Sequence, residues 1–512
     1  MADSAARSHS EESVPERGAT CAATLRWSVR GLVLLALFSV AALYEAKQVA
    51  AFASDDIWWH LRTGMWILSH HAVPVRGLFS QVADRPWVDS DWGFQAILAA
   101  AYSVFGLRSA SLLLMLSKFL LALLTFVLAG GWRKNFWSVV LLSAAAQYAL
   151  ANLTLIPMFC SVLCFGVELI LLLESRRHSD ARYLFCLPPL FFLWANLHIQ
   201  FVNGLLVLGL FLLVLVAEHI MQKLRLRSHP RTGLLPLAPA ATTAIFSLVA
   251  ALITPNSLRL FPEFSATVYG SARFKYFAEM RALHFRQPQD FVLLALAMAA
   301  FLALGLERPR DYFKCALMVV SVMLAFRVAR DTWFAVFPAI ACVAAVLPDA
   351  TDEKRFPGLR NYEKPIVVSL GLLFVLIAFM RVPSDEVLLR RASKTLPINA
   401  CDFLRNKHLP GPLFNTSGWS GFLVWYLPEY PVSIDSRLGL YGDRANAQYF
   451  ALIDGTARLE TNPSFAGART FLLEADSGLA KGLTTLPTLR DQFRVVYQDS
   501  LAVVLVRSDV AE

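Results

Sequence analysis

The sequence predicts a polytopic α-helical membrane protein with about eleven spans and a C-terminal α/β domain outside the bilayer. Three observations predict it. The 512 residues are 56% hydrophobic and only 17% charged, with a mean hydropathy of +0.52, where soluble domains run at roughly 45–50% and about 25%. The apolar residues come in blocks of roughly 16–22, the length that crosses ~30 Å of hydrocarbon. The last stretch, of about 130 residues, loses these blocks and is long enough for a core of its own. A soluble enzyme, a disordered chain and a disulfide scaffold are excluded. The net charge of +9 implies no nucleic-acid partner, because in a membrane protein positive charge sits at cytoplasmic faces and serves topology.

Arg7, Arg17 and Arg26 precede the first apolar run. With no small-residue cleavage site after it, that run reads as a start-transfer anchor. The spans are expected at 29–47, 109–130, 137–152, 156–174, 183–198, 201–220, 236–254, 289–306, 315–326, 331–347 and 365–381. The ninth is short, and Lys314 can snorkel to lengthen it. The segment Trp92–Phe105 is apolar enough to be a twelfth. Leaving it out gives one set of loops 19 Lys or Arg in about 79 residues, against 11 in about 104 for the other set. Counting it as a span destroys this asymmetry, so 92–105 is placed at the outer interface. Trp87 and Trp92 are then headgroup-level anchors, as are Trp58 and Trp59. The topology that follows has a cytoplasmic tail at 1–28, a transmembrane domain at 29–381 with large outer loops at 48–108 and 255–288, and an extracytoplasmic domain at 382–512.

In the tail, short apolar runs alternate with turn signals such as Leu409-Pro410-Gly411-Pro412 and Pro428-Glu429-Tyr430-Pro431. Pro431–Ile434, Thr470–Leu473 and Leu501–Val506 read as strands. Cys160 and Cys164 stand one helical turn apart and read as buried small hydrophobes rather than a metal pair.

Polar groups near the membrane are costly, and clusters of them at one face point to function. The densest cluster follows the first span: Asp55-Asp56-Ile57-Trp58-Trp59-His60-Leu61-Arg62. A second acidic stretch, Trp87-Val88-Asp89-Ser90-Asp91-Trp92, lies in the same loop. His198 closes the fifth span. Asn256 opens the second large loop, which carries Glu279, Arg281 and His284. Arg327 and Arg330, with Asp331, occupy a short outer turn, against the positive-inside trend. They form either a local ion pair or a clamp for phosphate oxygens, which guanidinium binds bidentately. The set suits a reaction on a lipid-linked phosphate: a carboxylate takes a proton from an acceptor hydroxyl, and arginines hold the leaving phosphate. No GxxxxGK[ST], GxGxxG, HExxH, CxxC or GxSxG occurs, so nucleotide, zinc-protease, redox and serine-hydrolase readings lack their residues.

These stretches also carry a resemblance. Asp56-Ile57-Trp58-Trp59-His60-Leu61-Arg62-Thr63-Gly64, Val73-Pro74, Phe79-Ser80, Pro86-Trp87…Asp91-Trp92, Trp194-Ala195-Asn196-Leu197-His198, Thr254-Pro255-Asn256 and Ile434-Asp435-Ser436-Arg437…Tyr441-Gly442 span nearly the whole chain. In that order and spacing they resemble bacterial polytopic membrane proteins of the GT-C type, glycosyltransferases that use polyprenyl-phosphate sugars. The resemblance implies a GT-C-like fold with the catalytic acid in the first extracytoplasmic loop, flanked by interfacial helices. By position Asp56 is then the candidate general base and Asp91 the second carboxylate. Asp91 or Glu279 would assist, His60, Arg62 and His198 would bind substrate, and Arg327 and Arg330 would contact phosphate. In the family the two acids before the Trp pair are usually one residue apart. Here Asp55 and Asp56 are adjacent, which leaves open which is the base. Asp91-Trp92 stands where relatives have Glu-Trp.

The implied partners are a polyprenyl-phosphate sugar, the inner membrane of a bacterium, and a glycan, lipid or polypeptide acceptor. Metal use varies within the GT-C type. The Asp and His content accommodates a divalent cation without requiring one. Asp435 and Arg437 read either as a buried pair at a strand–loop junction or as part of an acceptor site. The rival readings are a transporter or flippase of lipid-linked glycans, and a non-catalytic scaffold of envelope assembly. A transporter usually carries charges midway through broken spans; here the acids lie mostly in loops, with Arg30 and Lys118 as exceptions within the spans.

Overall fold

A computed structural model describes residues 17–47, 55–224, 234–269, 275–276, 280–350, 362–459 and 462–509. The bundle and its loops comprise α1 (Arg17–Lys47), α2 (Asp56–His70), α3 (Trp92–Phe105), α4 (Arg108–Leu128), α5 (Phe136–Ala149), α6 (Met158–His178), α7 (Leu187–Leu197), α8 (Phe201–Lys223), α9 (Leu237–Ala251), α10 (Leu260–Tyr269), α11 (Pro288–Leu306), α12 (Tyr312–Arg327), α13 (Trp333–Val346) and α14 (Glu363–Phe379). The tail adds α15 (Asp385–Ala392), α16 (Ile398–Lys407), β1 (Leu413–Asn415), α17 (Ser420–Tyr426), α18 (Leu438–Tyr441), α19 (Asp443–Ile453) and α20 (Pro463–Gly467). It ends with β2 (Thr470–Glu474), α21 (Gly478–Thr485), α22 (Pro487–Arg490), β3 (Phe493–Gln498) and β4 (Ala502–Arg507).

Each expected span falls on a helix. Among the described residues six segments are long and apolar enough to cross a membrane by length and composition: Val29–Ala46, Arg108–Arg133, Met158–His178, Phe201–Lys223, Pro288–Leu306 and Ala329–Val346. The other five expected spans fall on shorter helices of 11 to 17 residues. The shortest, α7, is extended at its start by a 3-10 turn over Ala181–Cys186, where prolines at the first helical positions cost no hydrogen bond. Leu141, Leu213, Leu302, Leu306 and Met323 are each at least 70% exposed. Exposed apolar side chains in such number suit lipid better than water. The helix α1 starts at Arg17, twelve residues before the expected span and inside the expected tail.

Loops expected to share a face do meet. Arg133, Lys134, Arg176, Arg177, Arg308, Arg310 and Lys314, from three loops of the basic set, line one cavity of about 570 Å³. The opposite set lines another, described below. The segment 92–105 is the 14-residue helix α3, laid tightly across α2. A Cβ on Gly64 would stand 2.0 Å from the Gln95 carbonyl oxygen, so glycine there sets how closely these helices approach.

The tail holds a four-stranded sheet in the order β1-β2-β4-β3. β1 and β2 are parallel, with Leu413 opposite Thr470. β2 and β4 are antiparallel, with Leu472 opposite Val504, as are β4 and β3. The run Ala502–Val506 is wholly buried, as a central strand covered on both faces requires. Of the expected strands, Thr470–Leu473 and Leu501–Val506 match β2 and β4. Pro431–Ile434 is not a strand of this sheet: Val432 instead bridges Ser80 of the first loop.

That bridge belongs to a wider interlock between the first loop and the tail. Gln81 Nε2 donates to the Leu413 carbonyl at 2.7 Å, and Arg85 Nη1 to the Tyr441 carbonyl at 2.7 Å. Trp58, 1% exposed, meets Phe422 edge-on at 5.3 Å and Trp425 at 4.8 Å. Such aromatic contacts contribute about 0.5–1.5 kcal/mol each beyond their burial. Trp58 and Trp59 are therefore core residues and not interfacial anchors; the expectation failed because the tail folds back over α2.

Candidate active site

A cavity of about 240 Å³ opens where the first loop, the ends of the bundle helices and the tail converge. Its lining brings together Asp56, His60, Asp89, Asp91, His198, Arg330 and Asp331 with Glu263 of α10 and Ser436 and Arg437 of the tail.

Asp56 stands in the first turn of α2, where the helix dipole favours a negative charge. Its Oδ1 accepts from Trp59 Nε1 at 3.1 Å and from the Ser436 hydroxyl. Asp55, one residue earlier, turns elsewhere. Its carboxyl accepts from the Ser420 hydroxyl at 2.9 Å and from the backbone N–H groups of Gly421 at 2.8 Å and Phe422 at 3.2 Å. It satisfies the free N–H groups at the start of α17 and does not line the cavity. Burial outweighs these donors and pushes Asp55 up to about 8. Of the adjacent pair, Asp56 faces the cavity and Asp55 ties the tail to the bundle.

Asp89 is fully buried. Its Oδ1 accepts from Gln95 Nε2 at 2.9 Å and from the Asp91 N–H at 3.2 Å, while Oδ2 has no hydrogen-bond partner. Burial pushes this carboxyl up to about 8, and the neighbouring Asp91 adds to the effect. Its backbone carbonyl accepts from Asn256 Nδ2 at 2.6 Å. Gln95 Nε2 also lies 3.3 Å from His60 Nδ1. Burial, and then the Arg437 charge, hold the His60 imidazole well below its usual range, so the ring is neutral. His198 Nδ1 is 2.7 Å from the Ser161 hydroxyl, which accepts from Trp194 Nε1 at 2.6 Å. Trp92 Nε1 donates to Asn196 Oδ1 at 3.1 Å. Motifs far apart in sequence thus position one another around the cavity.

Arg330 lines the cavity, beside Asp331, whose Oδ1 accepts from Gln200 Nε2 at 2.9 Å. Arg327, exposed at the end of α12, does not line it. Arg62 also stays outside, with its guanidinium 5.6 Å over the Phe79 ring. Glu279 lies outside the described residues. No three His, Cys, Asp or Glu among the described residues are grouped so as to hold a metal ion, so the divalent cation that the composition accommodates has no ligand set there.

Sequence reasoning passed over Asp89, Gln95 and Glu263, and left Arg437 open between a structural pair and part of an acceptor site. Asp89 carried a signal, since it lies in the acidic stretch from which Asp91 was chosen. Arg437 carried a misleading one. It does pair with the buried Asp435, Nη2 to Oδ2 at 2.7 Å, as the structural reading has it, yet it also lines the cavity. Chemically the cavity offers a carboxylate at a helix start, a second carboxyl with an open oxygen, two imidazoles and two guanidinium ions. It can take a proton from a hydroxyl and hold an anion.

No protein-family model matches the chain, and no curated protein does. Among solved structures, the chain is similar to the crystal structure of ArnT from Cupriavidus metallidurans in the apo state, at 15% sequence identity and a TM-score of 0.46. The match covers 94% of this chain and 98% of that one.

Proposed function

We propose that this protein is a membrane glycosyltransferase of the GT-C type. It transfers a sugar from a polyprenyl-phosphate donor to an acceptor hydroxyl on the extracytoplasmic side of a bacterial inner membrane. One observation carries the reading: Asp56, just past the first helix, and Arg330, at the turn before α13, line the same cavity. Asp56 accepts the acceptor's proton as its oxygen attacks the anomeric carbon. The bond from that carbon to the phosphate oxygen breaks, and Arg330 stabilises the charge left on the phosphate. His60, His198 and Asp91 line the path of the two substrates. The sequence resemblance supports the same reading.

Asp56→Asn tests it. With purified protein and a panel of polyprenyl-phosphate sugars, turnover should fall by about 10²–10⁴, the usual worth of a positioned base, while donor affinity stays within a few fold. Unchanged product formation would remove Asp56 as the base; a wild-type protein that forms no product from any donor of the panel would overturn the reading in favour of a carrier or a scaffold, neither of which uses a base.

A further inference from the structure

The cavity's second guanidinium comes from the tail. Arg437 is 6% exposed, and two of its three guanidinium nitrogens are used to fix it in place. Nε and Nη2 both reach Asp435, at 3.1 and 2.7 Å, and Nη2 also donates to the Leu78 carbonyl of the first loop at 2.8 Å. Asp435 is itself held by the Tyr441 hydroxyl at 2.9 Å. The guanidinium lies over the Trp87 ring at 4.7 Å and near Trp59 at 5.6 Å. One nitrogen is left over: Nη1, with its two N–H donors, is buried and has no hydrogen-bond partner. A purely structural pair needs only the fork that already grips Asp435. A buried donor left unmade costs free energy, and such atoms are rare in folded proteins. They are expected where a ligand completes the set. Four contacts and two rings also give the rigid support that a binding group requires.

We propose that Arg437 binds a phosphate oxygen of the lipid-linked donor through Nη1, so that the anion site is completed by the tail. The inference rests on the glycosyl-transfer reading and deepens it. Arg330 and Arg437 reach the phosphate from the bundle and from the tail, and the bundle alone supplies only half of the grip. Tyr441 acts through Asp435 as a positioning residue.

The test measures binding of undecaprenyl phosphate, and of undecaprenol as its uncharged control, to the full chain in phosphatidylcholine nanodiscs. Arg437→Lys keeps a cation beside Asp435 but lacks the second nitrogen. It should weaken undecaprenyl phosphate binding tenfold or more and leave undecaprenol binding unchanged. Tyr441→Phe, which keeps the ring and removes the hydroxyl, should weaken phosphate binding about threefold with the same selectivity. It decides the matter if Arg437→Lys does not fold. Wild-type binding of the phosphate with no loss in these variants, or equal losses for the alcohol and the phosphate, overturns the role of Arg437 alone. A wild-type protein that does not prefer undecaprenyl phosphate to undecaprenol overturns the glycosyl-transfer reading as well.

Discussion

The two charged cavities of the bundle handle their charges in opposite ways. In the basic one, opposite charges meet across helices. Arg133 grips Glu174 with both terminal nitrogens at 2.8 and 2.7 Å, and Arg176 grips Glu218 at 3.1 and 2.9 Å and reaches Asp311 at 3.0 Å. Lys134 meets Asp349 at 2.9 Å and Lys314 meets Glu307 at 2.8 Å. In the other cavity like charges gather. Asp56, Asp89, Asp91, Glu263 and Asp331 share a lining with two arginines. The hydrogen bonds on Asp56 and Asp89 come from neutral donors: an indole, a hydroxyl, an amide side chain and a backbone N–H. Pairing repays the desolvation of a charge only with good geometry, and the basic cavity has that geometry. Carboxyl groups held by neutral donors, as those of Asp56 and Asp89 are, are what binding and catalytic sites accumulate. Position within the bundle does not separate structure from function here; the way each charge is satisfied does.

The sharpest way to break this comparison is to disrupt a pair in the basic cavity. Arg176→Met removes both hydrogen bonds to Glu218, whose side chain is 2% exposed, and the contact with Asp311. Removing one partner of a buried pair costs about 3–5 kcal/mol. The melting temperature of the detergent-purified protein should fall by several degrees, while turnover per folded molecule stays within about twofold. If instead turnover collapses in a protein of normal stability, the basic cavity has a function and the contrast fails.

The elements that sequence revealed and those it hid differ in the range of their determinants. The spans were legible because a 20-residue apolar block is a local signal. The loop 92–105 was placed by charge counting, and the structure makes it a short helix against α2. Asp56 and Arg330 were legible because polar residues beside spans stand out. The edge strand β3 was hidden, because Phe493–Gln498 mixes arginine and glutamine with exposed valine and carries no clean alternation. The three-residue β1 is too short to show a period. Asp55 and Asp56 could not be told apart, since the difference rests on contacts with Ser420 and Ser436 more than 360 residues away. For Arg437 two readings stayed open: Asp435, two residues before it, explains an arginine without any cavity, and the contact with Leu78 cannot be read from local sequence.

A smaller effect sharpens the acidic side of the comparison. Asp89 uses Oδ1 to accept two N–H groups, and its proton rests on Oδ2, the oxygen without a protein partner. Burial sets its titration at about 8. Below that pH the group is a neutral donor for a phosphate oxygen; above it, a second negative charge beside Asp91 repels the ligand. Donor affinity should therefore fall as pH rises through about 8, by about tenfold, a modest share of the Coulomb energy of two charges near a protein surface. Asn has the shape of a protonated Asp, accepting through Oδ1 and donating through Nδ2. Asp89→Asn should bind like the wild type at pH 7 and hold its affinity at pH 9. A falling limb that survives the substitution would assign the titration to another group.

The smallest effect concerns the carboxyl that sequence could not separate from Asp56. Asp55 is raised to about 8 in the folded chain, chiefly by burial, and sits near 3.9 in an unfolded one. Between those values the native state holds a proton that the unfolded state has lost. Stability therefore declines as pH rises from about 4 to 8 and is flat with respect to this group on either side. Asp55→Asn cannot lose a proton, so the melting temperature of the variant should fall less steeply between pH 5 and 8. At pH 5 the variant should be weaker by about 1 kcal/mol, the typical worth of a helix cap, because an amide oxygen replaces two carboxyl oxygens opposite Ser420, Gly421 and Phe422. As pH rises further the wild type goes on losing stability, so the two curves meet and cross well before pH 8. Turnover, which the proposed reaction assigns to the neighbour that faces the cavity, should be unchanged throughout. If Asp55→Asn instead abolishes turnover while melting like the wild type, the two aspartates have exchanged roles, and the base is the one that ties down the tail.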